Sequence, residues 1–233
     1  MSRRKSSSGR WLDRQRRDPF VKQAQQDGWR SRAVFKLEQI DKRDRLIKPG
    51  QVIVDLGCAP GGWSQYALGK LRGQGRIIGI DLLEVAPMRG LDFLQADFLS
   101  PEARDWMAQH IGSQGRADLV LSDMAPNLSG NRLRDQARSL ELLEAAAEFC
   151  ASWLKPGGDF LFKAFQGEDL PEFVDGLKAR FQQVHWRKPG ASRDESREVF
   201  VLARGHAIAD NPKAMRAEPP ADGAVDSGFE PKE

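Results

Sequence analysis

Two charged side chains stand where short apolar segments end, and together they could activate a hydroxyl group. Asp123 follows the apolar segment ADLVLS, and Lys163 interrupts the apolar segment DFLFKAF. A lysine within an apolar strand is costly to bury unless it is paired or takes part in chemistry. It can also lie at a strand end and reach water through its long stem. The residues by themselves leave these two interpretations of Lys163 open.

A second group of residues, acidic or glycine, is typical of a nucleotide-binding edge. Asp55 and Gly57 lie in the segment VIVDLG, which the loop CAPGGW follows. Asp81 ends the next apolar segment, and Asp97 follows a third. Glycines let the backbone approach a ligand closely at the carboxyl end of a strand, and an acid there can bind ribose hydroxyls. The acids and the loop therefore predict a nucleoside site.

The glycine pattern favours S-adenosylmethionine over a dinucleotide. A dinucleotide site reads GxGxxG, whereas this loop reads GxxxGG from Gly57 onward. Pro60 lacks the amide hydrogen that a pyrophosphate cradle could use. Acids around the loop suit a cofactor that carries a sulfonium and an ammonium but no phosphate. A tight turn without a ligand is the simpler alternative for Gly61 and Gly62, and only the ordered set of acids and loop speaks against it.

The elements that must position these residues alternate between apolar strands and helical patterns. Strand-like segments lie at residues 51–57, 76–83, 92–98, 117–124, 159–165, 182–188 and 197–204, and the longest helical pattern covers 136–154. Helices between strands imply a parallel sheet, but the last two strands lie too close together for a crossover and should be antiparallel. We predict a single-domain, Rossmann-like α/β fold with a mostly parallel seven-stranded sheet, helices on both faces and one antiparallel edge strand.

Charge is distributed unevenly along the 233 residues. Residues 1–48 contain 15 Lys and Arg against six Asp and Glu, a net charge of +9, whereas residues 206–233 have a net charge of −3. A basic face favours a polyanion, since each neutralised phosphate releases counterions. We predict a disordered basic tail at 1–10, a basic helical segment at 11–48 that contacts RNA, a methyltransferase domain at 49–205, and a disordered acidic tail beyond it.

Cys58 and Cys150 are the only two cysteines, and neither belongs to a CxxC pair. This excludes a disulfide scaffold and disfavours a zinc site. Both are expected to be small packing residues rather than nucleophiles. The sequence also has no apolar run near the roughly 20 residues of a membrane span and no signal-peptide pattern. We expect a cytoplasmic, monomeric protein that uses no metal and contacts no membrane.

Seven strings of residues carry a family pattern. They are RSRAVFKL, DLGCAPGGWSQ, IIGIDLL, DFLQADF, SDMAPNLSG, FKAFQGE and SREVFVLA. In order and spacing they closely resemble the FtsJ/RrmJ family of bacterial heat-shock-associated methyltransferases, over roughly residues 10–204. The resemblance implies that S-adenosylmethionine methylates a ribose 2′-hydroxyl, that of an A-loop uridine in 23S ribosomal RNA. It also implies a role in maturation of the large ribosomal subunit, with RNA bound in the 50S particle or its precursor.

The resemblance assigns roles to individual residues as well. The family's catalytic tetrad of lysine, aspartate, lysine and glutamate falls on Lys36, Asp123, Lys163 and Glu198. Its cofactor contacts fall on Gly61, Trp63, Asp81, Asp97 and Asp123. Asp55 and Gly57 of the glycine loop complete the predicted cofactor site.

The role of Lys163 in this chemistry stays open on sequence alone. Lysine is protonated at neutral pH, so it acts as a base only where its surroundings favour the neutral form. Burial and the second cation, Lys36, favour the neutral form, whereas Asp123 and Glu198 favour the charged one. Lys163 is therefore either a general base or an electrostatic stabiliser of the developing alkoxide.

Three other functions remain possible at this stage. A relative with the same tetrad could act on transfer RNA or on messenger-RNA caps, and a ribosome-assembly factor could bind RNA without catalysis. The segment SDMAP argues against methylation of exocyclic base amines, which typically requires Pro-Pro and an aromatic residue after the acid. An intact tetrad argues against a pure binding protein, because such a protein has no need of a lysine in an apolar strand.

Overall fold

A mostly parallel seven-stranded sheet forms the centre of the molecule. The computed structural model describes residues 18–111, 116–126, 129–193 and 196–207. The strands are β1 (Val52–Leu56), β2 (Arg76–Asp81), β3 (Leu91–Gln95), β4 (Ala117–Ser122), β5 (Leu154–Phe165), β6 (Phe181–Arg187) and β7 (Glu198–His206). They lie in the order β3-β2-β1-β4-β5-β7-β6, which confirms the predicted Rossmann-like α/β fold.

Helices cover both faces of this sheet, as the alternating pattern predicts. In the described residues they are α1 (Pro19–Gln26), α2 (Val34–Asp44), α3 (Gly62–Leu71), α4 (Pro101–Ile111), α5 (Arg132–Trp153) and α6 (Leu170–Gly176). Buried side chains of α1, α2 and α3 form one hydrophobic cluster with one face of the sheet. Those of α4, α5 and α6 form another with the opposite face. Strands buried on both faces explain the nearly continuous apolar segments of the sequence.

The antiparallel part of the sheet lies at one side. The strands from β1 to β5 pair in parallel, whereas β7 runs antiparallel to both β5 and β6. The connection at residues 188–197 is too short for the crossover that a parallel pair of β6 and β7 would need. The single antiparallel strand is therefore present as predicted. It is second from the edge, and β6 forms the edge itself.

Polar contacts anchor both N-terminal helices to the rest of the molecule. Asp18 caps α1 by accepting a hydrogen bond from the amide of Phe20 at 3.0 Å, with Pro19 in the first turn. At the end of α2, Asp44 accepts two hydrogen bonds from the Arg187 guanidinium in β6, at 2.6 and 2.7 Å. Burial acts to raise the pKa of Asp44, but the hydrogen bonds and charge of Arg187 outweigh it and hold that pKa below its ordinary value. The pair therefore stays charged and ties α2 to the sheet.

Only some of the predicted domain boundaries fall within the residues that the structure describes. β7 continues to His206, which is buried, so the sheet extends one residue beyond the predicted end at 205. The tail at 1–10, residues 11–17 of the basic segment and residues 208–233 of the acidic tail lie outside the described residues. None of the helices in the described part of the chain is long and apolar enough to cross a membrane.

The parallel strands bring the predicted site residues to one edge of the sheet. Asp55 lies near the carboxyl end of β1 and Asp81 ends β2, while Asp123 directly follows β4 and Lys163 lies near the end of β5. The strand order reverses between β1 and β4. Open α/β sheets bind their ligands outside the carboxyl ends of the strands at such a reversal.

Candidate active site

Lys163 and Asp123 form a close ion pair at this edge. The Nζ atom of Lys163 lies 3.0 Å from Oδ1 of Asp123 and donates a hydrogen bond to the backbone carbonyl of Asp123 at 2.6 Å. The side chain of Lys163 is 9% exposed and that of Asp123 is 21% exposed. Oδ1 is buried and accepts no well-aligned hydrogen bond from any described residue, because the ammonium is directed at the carbonyl. The lysine is thus buried and paired rather than extended into water.

Lys36 and Glu198 form the second ion pair of the predicted tetrad. The Nζ atom of Lys36 lies 2.6 Å from Oε1 of Glu198, and their side chains are 12% and 11% exposed. The hydroxyl of Ser192 donates a hydrogen bond to the same oxygen at 3.2 Å. The ammonium also lies 5.7 Å from the ring centroid of Phe200, which adds a cation–π attraction. Lys36 is therefore held in place from two sides.

Phe200 connects the two ion pairs. It is the register partner of Lys163 across β7 and β5, and Glu198 lies two residues before it on β7. Because side chains alternate along a strand, Lys163, Glu198 and Phe200 project from the same face of the sheet. Phe200 packs in the cluster that contains α2, the helix that carries Lys36. The structure therefore brings the four tetrad residues together as two ion pairs on one face.

A cleft of about 520 Å³ opens beside Asp123, at the point where the strand order reverses. Its apolar walls are formed by Ile80, Leu82, Leu83, Phe98, Leu99, Met124, Pro126 and Leu142. Four of the predicted cofactor residues line it, namely Gly57, Asp81, Asp97 and Asp123. The other three predicted cofactor residues, Asp55, Gly61 and Trp63, are not among the described residues that line the cleft.

The carboxylates of Asp81 and Asp97 are oriented by backbone amides at the rim of the cleft. Asp81 accepts hydrogen bonds from the amides of Ala59 and Leu83, both at 2.8 Å. Asp97 accepts one from the amide of Leu99 at 3.0 Å. An ionised carboxylate offers about four acceptor positions. Both groups therefore keep the capacity to accept hydrogen bonds from a ligand in the cleft.

Asp55 lies fully buried behind the cleft, with one oxygen unsatisfied. Its Oδ2 accepts a hydrogen bond from the Ser64 hydroxyl at 2.6 Å, whereas its Oδ1 has no hydrogen-bond partner among the described residues. Burial raises the pKa of Asp55 to about 7; the hydrogen bond from Ser64 opposes this rise, and the charges of Asp123 and Asp81 add to it. A cation in the cleft would favour the ionised form of this carboxyl.

Close packing explains the glycines of the loop, and it removes one expected side-chain contact. Gly57 has φ +72°, and a Cβ atom there would lie 2.4 Å from Cγ of Met124, a wall of the cleft. Gly61 has φ +103° at the N-cap of α3. Trp63 is 3% exposed, and its indole donates a hydrogen bond to the carbonyl of Ala33 at 2.9 Å. If Trp63 contacts a cofactor, the contact must therefore be made by the backbone of Trp63 and not by its side chain.

Both cysteines are buried, in agreement with the packing role expected from the sequence. Burial raises the pKa of the Cys58 and Cys150 thiols. A thiol of this kind is a poor nucleophile. The glycine loop therefore offers close backbone approach rather than covalent chemistry.

The residues that support the site from behind could not be predicted from the sequence. Ser64 and Ser192 each hold a carboxylate, of Asp55 and Glu198 respectively. The carboxylate of Asp18 forms ion pairs with Arg32 at 2.8 Å and with Arg193 at 2.9 Å. The second pair joins the start of α1 to the connection before β7. The serines lie only nine and six residues from their carboxylates, but across loops that have no periodic pattern, and Asp18 and Arg193 are far apart along the chain, so only the fold reveals these partners.

Comparison with known proteins gives the same assignment as the geometry. Residues 29–206 match the model of the FtsJ-like methyltransferase family. The chain belongs to that family. This confirms the resemblance seen in the sequence motifs, and it makes the protein a methyltransferase. Methyl transfer in this FtsJ-like methyltransferase is accordingly expected at the edge that carries the tetrad and the cleft.

Individual relatives extend this match over most of the FtsJ-like methyltransferase. A "Ribosomal RNA large subunit methyltransferase E" from Thiobacillus denitrificans is 51% identical over 202 residues, which cover 87% of this chain and 91% of the relative. A protein of the same name from Marinobacter nauticus is 48% identical, covering 88% and 99%. A solved structure from Plasmodium falciparum, assigned as a ribosomal RNA methyltransferase, has a TM-score of 0.70 at 28% identity, covering 76% and 98%.

Proposed function

We propose that this FtsJ-like methyltransferase uses S-adenosylmethionine to methylate the ribose 2′-hydroxyl of an A-loop uridine in 23S ribosomal RNA, during maturation of the large subunit. The observation that carries the proposal is the buried pair of Lys163 and Asp123, of which Asp123 lines the cleft. A positioned ammonium and carboxylate suit the activation of a weak nucleophile such as a hydroxyl. Relatives of about 50% identity bear the name of a large-subunit ribosomal RNA methyltransferase.

The volume of the cleft and the acids that line it support binding of S-adenosylmethionine. Asp81 would bind the ribose hydroxyls and Asp97 the adenine, each through acceptor positions that the backbone amides leave free. Asp55, whose Oδ1 is unsatisfied, would ionise more readily beside the positive charge of the cofactor and would then add negative potential behind the cleft. When bound, the cofactor supplies a methyl group activated by its sulfonium.

Lys163 acts in this proposal as a charged group that stabilises the reacting oxygen. An ammonium has three donor hydrogens, and that of Lys163 donates one of them to the carbonyl of Asp123 while it lies 3.0 Å from Oδ1 of the same residue. We assign a further hydrogen to the ribose 2′-oxygen, where it would stabilise negative charge as the oxygen is methylated. The hydroxyl proton passes to the carboxylate of Asp123 and from there to solvent.

Lys36 and Glu198 would orient the ribose next to this pair. Their side chains are nearly buried and neutralise one another, so they add little net charge to the site. Glu198 would accept a hydrogen bond from a ribose hydroxyl, while Lys36 fixes the carboxylate against Phe200. Both remain close enough to Lys163 through the register of β5 and β7 to contact the same nucleotide.

We further propose that the protein acts as a cytoplasmic monomer and needs no metal. In this proposal, residues 11–48 contact RNA, residues 49–205 carry out methyl transfer, and the two terminal segments take no part in catalysis. The charge of residues 1–48, +9 in total, supports the RNA contact.

The decisive experiment maps ribose methylation in ribosomal RNA by mass spectrometry, in cells with and without the gene. We expect one 2′-O-methyluridine in the A loop to disappear and to return when the wild-type gene is supplied. A gene carrying Lys163→Ala should restore protein but not methylation. Loss of methylation from transfer RNA instead, with ribosomal RNA unchanged, would overturn the assignment of substrate. Purified protein that fails to bind S-adenosylmethionine would overturn the enzymatic role.

A further inference from the structure

The start of α5 exposes three arginines and a leucine that the fold itself does not use. Arg132, Arg134 and Arg138 are exposed, and Leu133 is 76% exposed, the highest value among the large hydrophobic residues described. In the described residues none of the three arginines takes part in an ion pair. We call these four residues the α5 rim.

The α5 rim is held in a defined shape by the turn before it. The carboxylate of Asp135 accepts hydrogen bonds from the amide and hydroxyl of Ser129, both at 2.7 Å, and from the amide of Gly130 at 3.1 Å. Asn131 caps the helix by accepting a hydrogen bond from the amide of Arg134 at 3.2 Å. The hydrogen bond from the Ser129 amide is the main reason that the pKa of Asp135 lies below its ordinary value. The Asp135 carboxylate is therefore ionised at neutral pH and keeps its hydrogen bonds to the turn.

The α5 rim lies at the edge of the sheet where β5 ends and the cleft opens. Gln136 packs against the segment that follows β5, where a Cβ atom on Gly167 would lie 2.8 Å from its amide nitrogen. Leu142, two turns further along α5, lines the cleft. Residues four apart share one side of a helix, so Arg134, Arg138 and Leu142 form a single stripe that leads from the cleft outward.

This arrangement works against the stability of the helix. Like charges four residues apart, as in Arg134 and Arg138, destabilise a helix. An exposed leucine between two arginines buries no apolar surface in the described structure. The like-charged arginines and the exposed leucine are both explained if a molecule with negative charge and apolar surface binds over the α5 rim. RNA has both, in its phosphates and in the faces of its bases.

We infer that the α5 rim binds the RNA substrate next to the target nucleotide. The guanidinium groups of Arg132, Arg134 and Arg138 contact phosphates, and Leu133 packs against a base or a ribose. This inference rests on the proposed function, since it takes RNA as the substrate. The α5 rim would add a second RNA contact to the one proposed for the basic N-terminal segment. The two contacts lie on opposite sides of the sheet, because α5 packs on the face opposite α1 and α2. The target ribose is then held between two contacts.

The test compares the double variant Arg134→Ala/Arg138→Ala with a matched control, Arg76→Ala/Lys178→Ala. Each double variant removes two exposed positive charges, and each control residue takes part in only one surface ion pair, at the start of β2 or just after α6. Affinity for an A-loop RNA fragment is measured at several salt concentrations, with cofactor binding and the single-turnover rate at saturating RNA. We expect the rim variant to lose about tenfold in RNA affinity and its salt slope to fall by about 1.4, or 0.7 per phosphate. In the rim variant, cofactor affinity and the single-turnover rate at saturating RNA should stay within about threefold of wild type. In the control variant, RNA affinity, cofactor affinity and this rate should all stay within about twofold of wild type.

Leu133→Ser provides an independent reading of the apolar contact. It should weaken RNA binding at every salt concentration while leaving the salt slope unchanged, because no phosphate contact is lost. A rim variant that behaves like the control in both measurements would overturn the inference. So would a rim variant that binds free RNA normally but an assembled 50S particle weakly, since the rim would then contact protein. Ribose methylation by the wild-type protein is measured before any variant is compared. If the wild-type protein methylates no ribose in RNA, it is the proposed function that fails and not the inference about the α5 rim.

Discussion

At the residue scale, the proposed chemistry of the site depends on two lysines whose side chains are nearly buried. Each is stabilised by one carboxylate, Lys163 by Asp123 and Lys36 by Glu198. Removal of either member of such a pair leaves its partner buried and unpaired, which costs several kcal/mol. Substitutions in the tetrad therefore require a separate check of folding and cofactor binding, so that a structural loss is not taken for a catalytic one.

Lys163 is the residue on which the methyl-transfer rate should depend most. We expect Lys163→Ala to lower the rate by a factor on the order of 10² to 10⁴, the range for losing a positioned acid–base group. Lys163→Arg should be similarly slow, because a planar fork does not replace a point charge held between one carbonyl and one carboxylate. Single-turnover kinetics at saturating cofactor measures this, with calorimetry to establish that the cofactor still binds. A rate within about threefold of wild type would mean that another group, first of all Lys36, activates the hydroxyl.

Asp55 should make the free protein less stable as the pH rises. Its pKa is about 7 in the folded protein against an ordinary value of 3.8, so between these values the folded state holds a proton that the unfolded state has lost. The free energy of unfolding therefore falls as the pH rises through this window, by up to about 1.4 kcal/mol per pH unit, and levels off above pH 7. Urea unfolding of wild type and Asp55→Asn at pH 5, 6, 7 and 8 isolates this contribution as their difference. A difference that does not change with pH would mean that Asp55 is ionised throughout in the folded protein.

At the element scale, helix and strand types followed from the sequence better than their boundaries did. The helical pattern at 136–154 is the helix α5, which begins earlier, at Arg132, because Asn131 caps it from within a polar turn. Gly157 and Gly158 are residues that ordinarily end a helix, yet they lie inside β5, which begins at Leu154 directly after α5. Pairing with β4, with an irregular register near Ala117, imposes the extended conformation there. Long-range pairing thus outweighed a local helix-breaking signal.

Arg30 links the N-terminal segment to the cofactor cleft and should influence cofactor affinity. Its guanidinium donates hydrogen bonds to the carbonyls of Ala86 at 2.6 Å and Pro87 at 3.0 Å. This fastens the connection between β2 and β3, which contributes Leu82 and Leu83 to the cleft. Loss of these bonds in Arg30→Ala should weaken cofactor binding about tenfold, since each hydrogen bond contributes roughly 1 kcal/mol or less.

Calorimetry with S-adenosylmethionine tests the role of Arg30, and Arg43→Ala serves as its control. Arg43 is an exposed arginine of the same basic segment, and no described hydrogen bond or ion pair uses its side chain. Its variant should bind the cofactor with unchanged affinity. If Arg30→Ala also bound the cofactor normally but bound RNA weakly, Arg30 would belong to the RNA-contacting surface instead of the cleft.

At the scale of the whole molecule, the sequence could predict the fold and the edge on which the site lies. Alternating apolar segments and the short connection before the last strand predicted the mixed sheet. The resemblance supplied the four tetrad residues, but it could not show which lysine pairs with which carboxylate. That depends on the insertion of β7 between β5 and β6, which places Glu198 under α2 and within reach of Lys36. A strand order of this kind is a property of the folded sheet and has no local signature.

The basic N-terminal segment divides into residues that support the fold and residues that are free to bind RNA. Arg32 pairs with Asp18 at 2.8 Å and is partly buried, so burial lowers its pKa although it remains charged. In contrast, Lys22, Arg43 and Lys48 are exposed. Net charge alone therefore overstates how many basic side chains of residues 18–48 are available to a polyanion.

Neutralising Lys22, Arg43 and Lys48 together should weaken RNA binding without unfolding the protein. If all three contact phosphates, the slope of log affinity against log salt should fall by about 2 to 3, or 0.7 to 0.9 per contact. The free energy of unfolding should change by less than about 1 kcal/mol, because exposed side chains contribute little to stability. Arg32→Ala should have the opposite profile, since it removes one of the partners of the buried Asp18 and destabilises the fold. RNA binding at four salt concentrations and urea unfolding measure both effects. An unchanged slope in the triple variant would mean that these three side chains are only solvated and would leave RNA binding to the α5 rim and to residues 1–17.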